Sequence, residues 1–273
     1  QTVTPTAAIP LYGRSADNIR DHRHVTSLLH RIETTDTGVL VTPTLSFDER
    51  GHQVNHMTYY CVGWSGNGEK PVDFYPTAED FVGEGGNFER PYAIVKNAEG
   101  VKAGTKIEGL EAVGGLHFSE ITLEPEEECS YLIFTGITED IQEIRNLSKT
   151  YTTREKVLEE LEKTKAYWQE KVNVAYHTGD SDFNQFMHWV SFQPILRRIY
   201  GCSFLPHHDY GKGGRGWRDL WQDCLALLIM NPDGVRQMLL DNFAGVRIDG
   251  SNATIIGSKQ GEFVADRNNI TRV

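Results

Sequence analysis

Hydrophobic periodicity changes once along this chain, and that change limits what the chain can fold into. From His24 to Gly136 the sequence runs in short stretches rich in Val, Ile, Thr, Tyr and Phe, interrupted by Gly, Asn, Asp and Pro. Such runs read as strands and turns. Val25 to Ile32, Val39 to Phe47, Met57 to Val62, Tyr92 to Val95 and His117 to Leu123 are the clearest. Gly63-Trp64-Ser65-Gly66-Asn67-Gly68 and Gly83-Glu84-Gly85-Gly86-Asn87 punctuate them. Many strands with no helical pattern between them predict an antiparallel β-sandwich.

After Thr138 the period lengthens. Thr152-x-x-Glu155 has the form of a capping box, and Val157, Leu158, Leu161, Trp168 and Val172 follow near helical spacing. Asp180 and Ser181 can cap the next helix. Its apolar positions are Phe183, Phe186, Met187 and Val190 and, past Pro194, Ile195 and Ile199. Arg218 to Met230, closed by Asn231-Pro232-Asp233-Gly234, and Val235 to Phe243 read as two more helices. The expected order is a β-sandwich over 1–145, a helical linker over 146–178 and an all-helical portion over 179–273. At roughly 150 residues per domain, 273 residues suit that division.

Charge narrows the partners. With 27 Lys+Arg against 38 Asp+Glu the net charge is −11, and no basic run is present to neutralise a phosphate backbone, so nucleic acid is not an expected partner. The longest apolar stretch, Cys224 to Met230, is far shorter than the ~18 residues of a membrane span. Gln1 to Pro10 lacks the basic start and apolar core of a signal peptide, and the absence of an initial Met is compatible with upstream processing or truncation. Cys61, Cys129, Cys202 and Cys224 are widely spaced, with no C-x-x-C pair, which fits reduced thiols in a cytoplasmic protein. The N-x-S/T triplets at Asn146, Asn252 and Asn269 would matter only in a secreted one.

The densest chemistry lies between His207 and Asp223, where a glycine-rich segment feeds a helix. Asp219, Gln222 and Asp223 are three and four positions apart and share one helical face, with Trp217, Arg218 and Trp221 beside them and Arg215 just ahead. Aromatic rings cover the C–H faces of a sugar while carboxylates and amides bond its hydroxyls, so this composition suits a carbohydrate. The alternative is structural: Asp219 as a helix N-terminal acid, Arg218 as its ion partner and the tryptophans as core. Gly211-x-Gly213-x-x-Gly216 matches a dinucleotide pattern in letters only, since no βαβ unit surrounds it. His22-x-His24 and His207-His208-Asp209 each lack a third or fourth metal ligand at suitable spacing. No G-x-S-x-G elbow is present.

These residues resemble the inverting glycoside phosphorylases of glycoside-hydrolase family 94. The resemblance is carried by Gly114-Gly115-Leu116-His117-Phe118, by Lys165-Ala166-Tyr167-Trp168, by Gly216-Trp217-Arg218-Asp219-Leu220-Trp221-Gln222-Asp223 and by Asp249-Gly250-Ser251. Arg14 to His24 and the Gly214-Arg215-Gly216-Trp217 variant look most like the 1,2-β-oligoglucan phosphorylases within it. The resemblance implies an N-terminal sandwich, a helical linker and the start of an (α/α)6 barrel that is incomplete in this chain. It also implies reversible phosphorolysis of a β-glucoside to α-glucose 1-phosphate, with inorganic phosphate as co-substrate and no cofactor or metal. Inversion needs an acid on the leaving oxygen and a nucleophile on the opposite face of the sugar. The resemblance implies that phosphate is that nucleophile.

By the same resemblance Asp219 is expected to hold the hydroxyls of the sugar in subsite −1; Arg218, Gln222 and Asp223, being adjacent to it, are expected to buttress the site. The family arginine six positions before that aspartate is replaced by Gly213, leaving Arg215 or Lys212 to substitute. The general acid is expected more than a hundred residues beyond Asp219, downstream of residue 273, so this segment alone is expected to be inactive. The remainder of the barrel, in the same or a separate chain, is an expected partner, and the same analogy allows a homodimer. Phosphorylases of cellobiose, chitobiose or laminaribiose, a hydrolase using water and a noncatalytic carbohydrate-binding module are the competing readings.

Overall fold

The computed structural model describes residues 1–13, 25–48, 51–200, 215–252, 255–256, 263–264 and 271–272. In chain order the first strands are β1 (Thr2–Val3), β2 (Thr6–Leu11), β3 (His30–Thr34), β4 (Gly38–Pro43), β5 (Leu45–Asp48), β6 (Gly51–Val54), β7 (Thr58–Ser65) and β8 (Asp73–Thr77). Two short helices, α1 (Ala78–Val82) and α2 (Tyr92–Lys96), precede β9 (Lys106–Glu108), β10 (Ala112–His117), β11 (Ile121–Thr122) and β12 (Tyr131–Thr138). Then come α3 (Ile141–Thr150), α4 (Arg154–Lys171), α5 (Ser181–Tyr200), β13 (Arg215–Gly216), α6 (Trp217–Met230) and α7 (Val235–Phe243). Four two-residue strands follow: β14 (Ser251–Asn252), β15 (Ile255–Ile256), β16 (Phe263–Val264) and β17 (Thr271–Arg272). The chain divides into two compact units, 1–160 and 161–273.

The first unit is an antiparallel sandwich. A five-stranded sheet in the order β12-β7-β4-β3-β9 and a three-stranded sheet in the order β2-β10-β8 are antiparallel throughout. Leu11, Ile32, Val39, Val41, Cys61, Phe74, Leu116 and Phe118 from both sheets form one core cluster. Leu40, between two inward-facing valines, joins Val62, Trp64, Leu132 and Ile144 in a second. The five-stranded sheet is therefore buried on both faces, α3 covering the second. Asp140 caps α3 by accepting from Gln142 N at 2.8 Å. Trp64 Nε1 donates to Tyr151 O at 2.8 Å and its ring stacks on Phe134, centroids 5.1 Å apart.

The adjacent glycines of β10 are demanded by this packing. A Cβ on Gly114 would stand 2.2 Å from Cys61 Cβ, and one on Gly115 would stand 2.5 Å from Tyr75 O. Gly114-Gly115 thus lets β10 lie close to β7 and to the paired β8. Beyond them His117 Nδ1 meets Asp73 Oδ1 at 2.6 Å, both side chains nearly buried, with Lys102 Nζ 3.9 Å from the other carboxylate oxygen.

Several expectations need correction: His117 to Leu123 is strand only at His117, which ends β10, and at Ile121–Thr122, which form β11, and Val39 to Phe47 is split between β4 and β5. Tyr92 to Val95 is not a strand but most of α2, because Pro91 sets its start and Asn97, in the left-handed region at φ 47°, ends it. Val25 to Ile32 is strand only from His30; residues 25–27 make a helical turn. The helix start near 152 is shifted by one residue: Val157 N donates to Thr153 O, and hydrogen bonds to its own backbone N–H and to the Thr153 side chain hold the Glu155 carboxyl below the usual range. Thr153, not Thr152, is the residue at the head of α4.

The second unit is helical. Asp180 Oδ1 accepts from Asp182 N (2.9 Å) and Phe183 N (3.1 Å), capping α5 as its sequence predicts. The helix runs through Pro194 as one 20-residue element. Val172, Ile195, Cys224, Leu227 and Val235 form its core, with Trp168, Phe192, Met238 and Leu239 packed against them. Among the described residues no helix is long and apolar enough to cross a membrane.

Candidate functional site

The Arg-Asp-x-x-Gln-Asp element occupies the first two turns of α6. Its entry is fixed by β13, which pairs antiparallel with β15 through Arg215↔Ile256 and Gly216↔Ile255, and β15 in turn pairs with β16. The helix begins at Trp217, directly after this small ribbon, so Asp219 falls in the first turn, where the backbone N–H groups favour a carboxylate. The structure places the backbone of Arg215, Trp217, Arg218 and Asp219 there; their side chains lie outside the described residues, as do Lys212, Gly213, the histidines at 22, 24, 207 and 208, Asp209 and Arg14 to His24.

One turn on, the two remaining candidates separate. Asp223 is buried, 4% exposed, on the side of α6 that also carries Cys224, Leu227 and Met230. Gln222 is exposed. Although both lie within four positions of Asp219, a step of one residue turns the helix by about 100° and gives them different surroundings. Asp223 therefore has the position of an internal support and Gln222 that of a surface group.

The neighbours of α6 hold it at both ends. Trp221 packs edge-on against Phe243 of α7 with centroids 4.6 Å apart, which sets the end of α7 beside the start of α6. At the other end, Asn173 Nδ2 donates to Met230 O at 2.9 Å and Arg198 Nη1 donates to Asn231 O at 3.1 Å. Arg198 also donates to Asp233 O. These side chains satisfy carbonyls that a helix terminus leaves open.

Asp249-Gly250-Ser251 is a compact turn. Asp249 Oδ1 accepts from Ser251 N at 3.0 Å and from Ser251 Oγ at 2.6 Å, and these bonds hold the Asp249 carboxyl below its ordinary range. Gly250 takes φ +79°, which a side chain would resist. Ser251 and Asn252 are buried where they pair with β17. Asp249 is thus committed to shaping the turn.

Sequence reasoning missed Asn242. It is 3% exposed on α7, and its Nδ2 has no hydrogen-bond partner among the described residues. The available signal was its place seven residues after Val235 and four after Met238, which puts a carboxamide on the core-facing side of an apolar helix. Among the described residues no group of three or more His, Cys, Asp or Glu converges on a metal position.

The first unit is an antiparallel sandwich and the chain continues into helices. The glycosyl hydrolase 94 supersandwich domain model matches residues 10–154, and the chain belongs to that family. It is a glycoside phosphorylase family. The cyclic β-(1,2)-glucan synthase NdvB of Rhizobium meliloti (strain 1021) is 26% identical over 194 residues, 70% of this chain and 6% of that protein. The chain therefore spans only a small fraction of this relative's length. Residues 10–154 include the Gly114 to Phe118 motif; the α6 element lies beyond them.

Proposed function

We propose that this chain is the sandwich, linker and first barrel helices of an inverting phosphorylase of β-1,2-gluco-oligosaccharides. The family match over residues 10–154 carries the reading, and the relative named for a β-(1,2)-glucan supports the linkage. In this reading 1–145 is the sandwich domain, 146–178 the linker and 179–273 the beginning of an (α/α)6 barrel. Further barrel helices, in the same or a separate chain, are its partner, and the protein works in the cytoplasm.

The chemistry is a group transfer with balanced atoms. A phosphate oxygen attacks the anomeric carbon from the face opposite the glycosidic oxygen, and the C1–O bond breaks. A carboxylic acid delivers its proton to the departing oxygen, so the products are α-glucose 1-phosphate and an oligosaccharide one unit shorter. Asp219, in the first turn of α6, accepts hydroxyls of the sugar in subsite −1. Arg215, Trp217, Arg218 and Gln222 extend that surface and Asp223 supports it from inside. No residue of this chain is assigned as the acid, and the segment by itself is inactive.

The test is phosphate release from glucose 1-phosphate with sophorose as acceptor, using the longest native reading frame that contains this segment. Release with growth of a β-1,2-linked product is the expected result. Release only with glucose, N-acetylglucosamine or a β-1,3-linked acceptor would move the linkage; sugar cleavage without phosphate would make it a hydrolase. In that protein Asp219→Ala is expected to lower kcat/KM by about a hundredfold, the scale of losing sugar positioning. Unchanged kinetics would remove Asp219 from the site.

A further inference from the structure

A second feature with sugar-binding chemistry lies in the first unit, away from the α6 element in sequence and made wholly of residues between Tyr75 and Val101. A cleft of about 320 Å³ opens beside α1 and α2. That volume is at the small end of the ~300–1,000 Å³ range of small-molecule sites. Tyr92 lines it and is 51% exposed. The ring stands there because Gly83 has no side chain: a Cβ on Gly83 would lie 2.7 Å from Tyr92 Cβ.

Hydrogen bonds hold other lining residues in place. Tyr75 is almost wholly buried and donates from its hydroxyl to Ala98 O at 2.6 Å. Asp80 is held by the Thr77 cap, accepting from Thr77 Oγ1 at 2.6 Å while its own N–H donates back at 3.0 Å. Glu79, Glu84 and Glu99 complete the polar lining, and no ion pair among the described residues engages them.

The composition selects the ligand class. No Lys or Arg is among the described lining residues, so a phosphate or carboxylate would meet only like charge. The carboxylates do not converge as a metal-ligand group. What remains matched is an uncharged polyol: the electron-rich face of Tyr92 receives sugar C–H groups and the carboxylates accept hydroxyl protons. We propose that this cleft is an accessory binding site for a neutral glucan segment, distinct from the site on α6.

The experiment is native affinity electrophoresis of the whole chain in gels containing linear β-1,2-glucan or hydroxyethyl cellulose, with thermal unfolding as a check on folding. The wild-type chain is expected to be retarded by at least one of them. Tyr92→Ala is expected to weaken the apparent affinity by about tenfold, Tyr92→Phe to retain it and Glu99→Gln to weaken it by about threefold, at unchanged Tm. Glu128→Gln, exposed and outside the cleft, is expected to leave the retardation intact. Unchanged retardation in Tyr92→Ala would place the binding outside the cleft and overturn the proposal, as would absence of retardation by both glucans. Neither result bears on phosphorolysis, which is read in the longer protein.

Discussion

The two units solve the burial of apolar surface in opposite ways. In the first, both faces of the central sheet are covered, and Val39, Val41, Val62, Leu116 and Cys61 lose essentially all contact with solvent. In the second, α5, α6 and α7 carry exposed apolar residues as well as buried ones. The inner side of α6 holds Cys224 and Leu227, while Leu225, Leu228 and Ile229 on its other side are 69%, 53% and 77% exposed. Phe183, Phe186 and Val190 on α5 and Leu240 and Phe243 on α7 repeat the pattern. A helix that is apolar all round belongs in the interior of something larger. The sandwich closes its own core, and the helical unit presents surfaces suited to further helices, as the proposed barrel requires.

The contrast can be attacked from its strongest side first. Leu116→Ala removes a side chain with no solvent exposure between the two sheets and should cost about 2–5 kcal/mol in urea unfolding followed by far-UV circular dichroism of the strands. A loss under about 1 kcal/mol would mean that the sandwich core is loose.

Thiol labelling compares the units directly. Burial pushes the Cys61 thiol up to about 12, so it reacts only after opening; Cys224 is also buried. With Cys129 and Cys202 replaced by serine, Cys224 is expected to label at least tenfold faster than Cys61 under native conditions. Equal rates would show one cooperative unit and erase the distinction.

A smaller effect separates exposed apolar side chains from buried ones. Ile229→Ser should change the stability of this chain by no more than about 0.5 kcal/mol. The same substitution in the longer protein should lower its Tm by several degrees if further helices cover α6. Identical behaviour in both contexts would leave that face in solvent.

The smallest expected signal is the acid titration of the Asp249 turn. Its folded-state pKa lies below the ordinary value of about 3.9 because Ser251 bonds the charged form. The turn's stabilisation is thus complete above that ordinary value and disappears as pH falls through the lower, folded value. The Ser251 amide resonance should move in that window, and Ser251→Ala should shift the titration upward. A Ser251 amide that titrates at the ordinary value would show that the bonds do not form.

Much of the architecture was legible because its signals are local. The unbroken apolar run Val39-Leu40-Val41 marks a strand, and Asp180 and the Asn231-Pro232-Asp233-Gly234 break mark helix ends where they occur. Tyr92 to Val95 misled because a β-favouring composition was overridden by Pro91 and a left-handed Asn97, which fix backbone geometry at both ends. In the candidate site the spacing of Asp219, Gln222 and Asp223 predicted one shared helical face. It could not tell that Asp223 turns inward and Gln222 outward, since that depends on which side α7 and α5 pack. Asn242 was missed for a related reason: its spacing from Val235 and Met238 marks a core-facing position only once the packed side of α7 is known.

The hydrogen bond from Trp64 to Tyr151 gives the sandwich a mechanical anchor. Tension on the chain arriving from the α4 side meets Tyr151 before α3 and β12, and the indole passes the load to β7, which is flanked by β12 and β4. Trp64→Phe would keep a ring against Phe134 and remove the N–H. Single-molecule pulling should then detach α3 at lower force while the sheet yields at the same force as before, and equal detachment forces in the two proteins would show that the bond carries no load.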